Sequence, residues 1–282
     1  MAVTRADKTA TVEALEGMFK GAEVAILLDY KGINVPDLRL PHSELTEQDR
    51  SDLAFAIEHD LDYIAASFVG SASDVHAMRR LLDEAGAQIP IIAKIEKPQA
   101  VENLDEIIRA FDGVMVARGD LGVEMPLEEV PLVQKRACEI ARRRAKPVIV
   151  ATQVLESMIE NSRPTRAEAS DAANAVLDGA DALMLSGETS VGKHPFAAVR
   201  TMSRIIENTE EHGLHRIRPI GTRPNSKGGA VTAAAAEIGE LLGVKYLITF
   251  TSSGDSSRRL ARVRPRIPML AFTPHQGTRS QL

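Results

Sequence analysis

Hydrophobic residues in this chain gather in short runs, and several of those runs end in a polar cluster. Four of them read IPIIAKIEK, DGVMVARGDLG, KPVIVATQVLESM and DALMLSGET. Each apolar part is too short for a free-standing helix and suits a strand buried on both faces. Helical stretches such as Pro98–Ala110 and Leu127–Arg144 lie between them. The polar ends fall at Lys94/Glu96, Arg118/Asp120, Thr152/Gln153 and Ser186/Glu188. They recur about every thirty residues, the length of a strand–helix unit. In a parallel (β/α) barrel all strand C-termini open onto one face, so the pattern predicts that these side chains converge.

Three zones separate along the chain. The first holds an amphipathic helix over Ala6–Lys20, with Val12, Leu15 and Phe19 on one face, then the strand-like Glu23–Asp29. Pro36–Pro41 is a proline-punctuated connector, and Leu45–Gln48 reads as a helix start with Thr46 as N-cap. From there to about His215 strands and helices alternate: strand Tyr63–Val69, helix Ser73–Ala85, the four units above, and helix Phe196–Glu211. Arg216–Gly229 is rich in Arg, Pro and Gly and reads as a linker. Helix Ala230–Leu242, strand Tyr246–Phe250, helix Ser256–Val263 and strand Met269–Phe272 then predict a second α/β unit that stops early. The expected fold class is α/β, a partial (β/α)8 TIM-type barrel followed by a truncated α/β C-terminal domain. The expected divisions are 1–35, 36–217 and 218–282.

Composition narrows the picture. A chain of 282 residues with 44% hydrophobic content can bury a large core. The net charge of -5 argues against general nucleic-acid affinity. A single cysteine, Cys138, excludes an internal disulfide and sits at helical spacing as a buried thiol. No run approaches the roughly eighteen apolar residues of a membrane span, and the N-terminus lacks a signal-peptide core. A soluble, cytoplasmic protein is expected.

The chemistry starts with Lys94 and Glu96, two apart in a strand and therefore on one side of it. A charged pair in a barrel interior is costly unless paired or metal-bound. It either closes the barrel mouth or carries a task. Asp120 adds a second carboxylate on the next strand end, and two such carboxylates with few other protein ligands suit Mg²⁺ or Mn²⁺. The Gly119–Asp120 turn can present backbone N–H groups to an anion. Thr152, Ser186 and Glu188 add polar groups at the third and fourth strand ends. The seven histidines show no paired metal-ligand spacing. The basic run Arg142–Lys146 reads as a solvated helix end complementing the helix dipole. TSSGDSS, Thr251–Ser257, is either a phosphate nest or a Ser/Gly turn with a helix cap.

With these residues in view, the chain resembles the pyruvate kinase family. KGINVPDLRLP, LTEQDRSDL, SFVGSASDV, IIAKIEKPQAVENLDEI, MVARGDLGVE, ATQVLESMI, RPTRAEASDAANAVLDGADALMLSGET and HPFAAV follow the family's stretches in order, from about Lys31 to Leu282. The resemblance implies transfer of phosphoryl from phosphoenolpyruvate to ADP, yielding pyruvate and ATP. It implies that Lys94 stabilises the transition state and that Glu96 and Asp120 hold Mg²⁺ or Mn²⁺. It further implies that the backbone at Gly119 and Asp120 binds the substrate carboxylate and that Thr152 lies by the enolate's protonation site. Arg118 and Ser186 join the surrounding polar shell. Thr251, Ser252, Ser253, Gly254 and Ser256 resemble the family's sugar-phosphate effector loop, with Asp255 where many members have arginine. A homo-oligomer is implied as well.

The departures shape a second set of expectations. Complete family members have three earlier barrel strands and an inserted lid, which carry a phosphate-gripping arginine and the K⁺ ligands. That block is missing here, and residues 1–35 instead resemble the N-terminal head of the bacterial ribosomal stalk-base protein. A rival reading makes VAILLDYKG the family's third strand, with Asp29 a relic K⁺ ligand. A fusion or truncated product is therefore expected, with an open sheet that self-associates or is marginally stable. Two alternative functions stay open: a non-catalytic interaction module with RNA affinity through the ribosomal-like head, and a metal-dependent phosphoenolpyruvate or pyruvate aldolase. ATQVLESM and LSGET count against the aldolase.

Overall fold

The computed structural model describes residues 45–282. The elements expected over Ala6–Lys20, Glu23–Asp29 and Pro36–Pro41 lie outside the described residues. Thr46 caps the first described helix, α1 (Glu47–Glu58), through a reciprocal capping box with Asp49. The chain then alternates strand and helix: β1 (Ile64–Ala66), α2 (Asp74–Glu84), β2 (Ile91–Ile95), α3 (Pro98–Glu102), α4 (Leu104–Ala110), β3 (Gly113–Ala117) and α5 (Arg118–Glu124). Next come α6 (Val130–Arg144), β4 (Val148–Ala151), α7 (Arg166–Asp178), β5 (Ala182–Met184), α8 (Gly187–Ser190) and α9 (Pro195–Gly213).

The five strands form one parallel sheet in sequence order, β1-β2-β3-β4-β5. This is a run of consecutive (β/α) units, the wall of a partial barrel. Ile91, Ala93, Ile95, Val114, Val116, Val148 and Val150 share one face by register and are fully buried, whereas Lys94, Met115 and Ile149 on the opposite face are half-buried, so one face of the central strands is packed and the other only partly covered. Among the described residues β1 and β5 pair on one side only.

One device recurs where strands begin. The Asp112 N–H donates to Ile91 O (2.9 Å), and its carboxylate accepts the Ile91 N–H (2.8 Å). Asp181 does the same for Val148, accepting its N–H at 2.9 Å and donating to its carbonyl at 2.9 Å. Each aspartate thus fixes the register of its strand against the preceding neighbour.

Several boundaries differ from the sequence pattern for visible reasons. The strand expected over Tyr63–Val69 stops at Ala66, because Phe68 takes left-handed backbone (φ 57°). The helix expected over Pro98–Ala110 breaks at Asn103, whose side chain donates to Gly70 O (2.9 Å). Leu127–Glu129 is a 3-10 turn leading into α6, with Pro131 near the new start where a missing N–H costs nothing. Past a 3-10 turn (Leu214–Arg216), the linker gives way to helix earlier than expected. Ser226 accepts the Gly229 N–H (3.1 Å) and starts α10 at Lys227 (Lys227–Leu242).

The remaining unit holds β6 (Leu247–Phe250), α11 (Asp255–Ala261), β7 (Met269–Phe272) and α12 (Gln276–Ser280), with β6 and β7 parallel. It docks on the barrel unit through arginines, which corrects the solvated reading of Arg142–Lys146. Arg142 is only 6% exposed; it donates to Arg262 O (3.2 Å) and Arg218 O (3.1 Å). Arg262 returns a bond to Arg143 O (3.0 Å), and Arg264 holds Gly179 O and Asp181 (both 2.7 Å). Arg144 pairs with Asp105 (2.8 Å), and Lys146 donates to the carbonyls of Arg109 and Phe111. The run faces chain ends whose carbonyls need donors, so burial with partners replaces solvation. Cys138 is buried as expected, and burial pushes its thiol up to about 12. A thiol so protonated is no nucleophile.

Two measurements follow from this packing. Arg142→Ala leaves buried carbonyls without donors and lowers unfolding stability by about 3 kcal/mol. Arg143→Ala, whose partner is the exposed Glu139, changes it by roughly 0.5 kcal/mol or less. Burial alone would raise the Glu168 pKa, but hydrogen bonds from Ser157 and Thr165 outweigh it and hold the group below the ordinary glutamate value. A depressed folded pKa contributes stability above the unfolded value, about 4.3, and that contribution is lost as pH falls through the folded one. Glu168→Gln should therefore lower the urea midpoint at neutral pH, with the gap to the parent closing in acid.

Candidate active site

The parallel register sets Lys94 beside Met115 and Ile95 beside Val116, so the ends of β2 and β3 are neighbours. Lys94 and Glu96 share one side of β2, and the structure brings them into an ion pair. The Lys94 ammonium also donates to Ser67 Oγ (3.0 Å), past the end of β1. Glu96 is 2% exposed, and its second oxygen accepts the Phe68 N–H at 2.9 Å. Both oxygens of this buried carboxylate thus have partners, as burial of charge demands.

Strand β3 runs straight into α5, so Arg118, Gly119 and Asp120 form the first turn of a short helix. The Gly119 N–H donates to Thr152 Oγ1 (2.7 Å), and that hydroxyl donates to Ala151 O (2.7 Å). A Cβ on Gly119 would come within 3.2 Å of Thr152 Oγ1, so the close approach of the two strand ends explains the glycine. Thr152 and Gln153 both have left-handed backbone, at φ 66° and 52°. Arg118 holds them there, donating to Thr152 O (3.1 Å) and to Gln153 O (2.9 Å). Its charge meets Asp171 at 2.6 Å, and the buried Gln134 accepts from it at 3.3 Å.

Burial pushes the Asp120 carboxyl above its ordinary range, the Glu96 charge pushes it further, and Lys94 opposes both. The two carboxylates therefore sense one another across neighbouring strand ends. Among the described residues no group of three or more His, Cys, Asp or Glu side chains could hold a metal. A pair of carboxylates with room for water and substrate oxygens fits Mg²⁺ or Mn²⁺ and fits no closed structural zinc site. Glu96 and Asp120 could hold such an ion.

Lys94, Glu96, Asp120, Gly119 and Thr152 are thus grouped across three successive strand ends. The fourth strand end behaves differently. Glu188 is 2% exposed and turns back, accepting the N–H groups of Leu155 (3.0 Å) and Ser186 (2.8 Å). It closes two loops rather than facing the mouth, while the buried Ser186 hydroxyl has no partner. In the C-terminal unit Thr251 Oγ1 accepts the Gly254 N–H (3.0 Å), and Asp255 pairs with Arg259 (2.6 Å). Ser252 and Ser253 are exposed, and Ser256 is half-buried on α11. These are the features of a hydroxyl-closed turn with a helix start.

Sequence reasoning passed over Ser67, Phe68 and Asp171. SFVG follows an apolar run as the other polar clusters do, and that placement was the available signal. Asp171 sits mid-helix in α7, where no local pattern marks it.

Comparison with known proteins adds independent findings. The pyruvate kinase barrel domain matches residues 3–199, and the pyruvate kinase alpha/beta domain matches residues 229–282. The chain belongs to the pyruvate kinase family. It is 57% identical over 277 residues to a pyruvate kinase of Mycobacterium tuberculosis strain H37Rv, covering 96% of this chain and 58% of that one. Against a pyruvate kinase of Mycobacterium intracellulare it is 58% identical over 252 residues, 89% of this chain and 53% of the relative. A pyruvate kinase 2 of Synechocystis is 42% identical over 252 residues, 89% of this chain and 42% of the relative. The chain spans roughly half the length of the curated pyruvate kinases it matches. The barrel-domain match begins at residue 3, inside the segment expected to resemble the ribosomal head, and no comparison shows that ribosomal resemblance. The aldolase alternative finds no support either.

If Glu96 and Asp120 are the ligands, titration with Mn²⁺, followed by the loss of the free-ion paramagnetic signal, will reveal one site. Asp120→Ala should weaken it by more than about tenfold, since losing a ligand exceeds the usual cost of losing its outer support. Unchanged binding in that variant would remove Asp120 from the assignment.

Proposed function

We propose that this chain carries the phosphoenolpyruvate-binding half of a phosphotransferase that moves phosphoryl from phosphoenolpyruvate to ADP. The observation that supports this most is the convergence of Lys94, Glu96 and Asp120 beside the Gly119–Thr152 contact, in a chain of the pyruvate kinase family. The bond from the enolate oxygen to phosphorus breaks, a bond from an ADP oxygen forms, and the enolate takes a proton at its methylene carbon. The Lys94 ammonium offsets negative charge on the phosphoryl group in flight. Its pairing with Glu96 and Ser67 holds it in place beforehand. The substrate carboxylate binds the backbone N–H groups at Gly119 and Asp120, competing with Thr152 Oγ1 for the Gly119 N–H. Thr152, fixed by Arg118, sets its hydroxyl next to the carbon to be protonated. When bound between Glu96 and Asp120, Mg²⁺ or Mn²⁺ supplies positive charge to the enolate and phosphoryl oxygens. K⁺ belongs to the same proposal, although Asp29, its one candidate ligand here, lies outside the described residues.

The other proposed features rest on lighter support. No helix among the described residues is long and apolar enough to cross a membrane, in keeping with the cytoplasmic placement proposed here. The divisions at 35 and 217 are proposed from the sequence pattern. A homo-oligomer is proposed because β1 and β5 each keep an unpaired side among the described residues, and because Phe250 and Phe272 stack with 81% and 50% exposure. The effector role of Thr251–Ser256 rests on resemblance.

Orientation of two substrates supplies much of a phosphotransferase rate, and the chain spans roughly half the length of the pyruvate kinases it matches. ATP formation from phosphoenolpyruvate and ADP by the isolated chain should therefore be slow, and Lys94→Ala should cut it by about a hundredfold or more. The assay couples pyruvate to a dehydrogenase with Mn²⁺ and K⁺ present. A rate unaffected by Lys94→Ala would overturn the reading. No turnover beside intact Mn²⁺ binding would favour a non-catalytic module.

A further inference from the structure

Phe68 combines features that its own packing does not explain. Its backbone is left-handed at φ 57°, a region where bulky residues are outliers. Such strain persists only where the surroundings hold it. Yet the side chain is 59% exposed, so no core contact fixes it. Its ring lies 5.0 Å from the Lys97 ammonium, and an exposed contact of that kind is too weak to hold a strained backbone. What the conformation achieves is polar. Two residues beyond β1, it turns the Phe68 N–H onto Glu96 Oε2 at 2.9 Å, leaving Oε1 to Lys94. Glu96 is 2% exposed, so water cannot replace that donor. A carboxylate held at one oxygen by a fixed N–H cannot rotate about its last bond.

We propose that Phe68 is a positioning residue for Glu96, its left-handed backbone presenting the N–H that fixes this carboxylate for a divalent cation. The inference rests on the reading of Glu96 and Asp120 as metal ligands. Support of this kind typically contributes 10- to 100-fold to metal affinity. The strain is then part of the site, held by the hydrogen bond it creates.

The test uses the full chain, Mn²⁺ as probe, the free-ion paramagnetic signal as readout, and thermal melts alongside. Phe68→Gly keeps the N–H and adopts positive φ freely, so its Mn²⁺ affinity should stay within about threefold of the parent. Phe68→Val resists positive φ, so its affinity should fall about tenfold or more while its melting temperature holds or rises. Should Phe68→Val melt below the assay temperature, Phe68→Thr, likewise β-branched, replaces it with the same expectation for affinity. Asp120→Ala is the reference. Full affinity in the Val (or Thr) variant, with binding lost in Asp120→Ala, overturns the positioning role and leaves the metal reading standing. Full affinity in all variants, Asp120→Ala included, overturns both.

Discussion

The Arg118 guanidinium is the fixed point of the site. Only 11% of its side chain is exposed, and its charge is met by Asp171. Its other donors reach Gln134 and the carbonyls of Thr152 and Gln153, the latter two being successive non-glycine residues in left-handed backbone. That backbone costs roughly 1–3 kcal/mol per residue. Hydrogen bonds from a charged donor, about 1.5–3 kcal/mol each, are enough to offset it. Without the guanidinium the chain leaving β4 has no reason to turn this way. With it, the Thr152 hydroxyl meets the Gly119 N–H and the ends of β3 and β4 become one surface.

The neighbouring strand ends use the same logic with the charges reversed. There a carboxylate, Glu96, holds the N–H of a left-handed Phe68. In each case a polar side chain on one strand end disciplines an awkward turn on the adjacent one, which only a parallel sheet of consecutive strands can arrange. The electrostatics remain unbalanced. Asp120 is disfavoured as an anion by burial and by Glu96, and Lys94 already pairs with Glu96. A site that raises a carboxylate in this way has positive charge in short supply, and a cation would complete it.

Much of this was legible before any coordinates. The four apolar runs named β2 to β5, because short apolar segments ending in polar clusters mark the consecutive strands of a parallel sheet. The polar residues after them named Lys94, Glu96, Gly119, Asp120 and Thr152, because their spacing repeats with the strand–helix unit. What stayed hidden depends on contacts between distant segments. Asp171 meets Arg118 across 53 positions of sequence, and Phe68 matters through a backbone angle that its residue type disfavours. Arg142 looked like the end of a charged helix, and its burial depends on the C-terminal unit docking there. Glu188 looked like one more polar group at the barrel mouth, and it is consumed by two loop N–H groups.

The aspartates that open β3 and β5 give the molecule two rims with different duties. Asp112 and Asp181 clasp the strand beginnings, and Arg79 and Arg264 brace them from outside. Chemistry-bearing groups sit at the other rim. Wear on the chemical rim therefore leaves the clasped rim intact, so losing an activity and losing a shape are separable events for this protein. Substitutions that remove the candidate chemistry and substitutions that loosen the sheet therefore fall at opposite ends of the same strands.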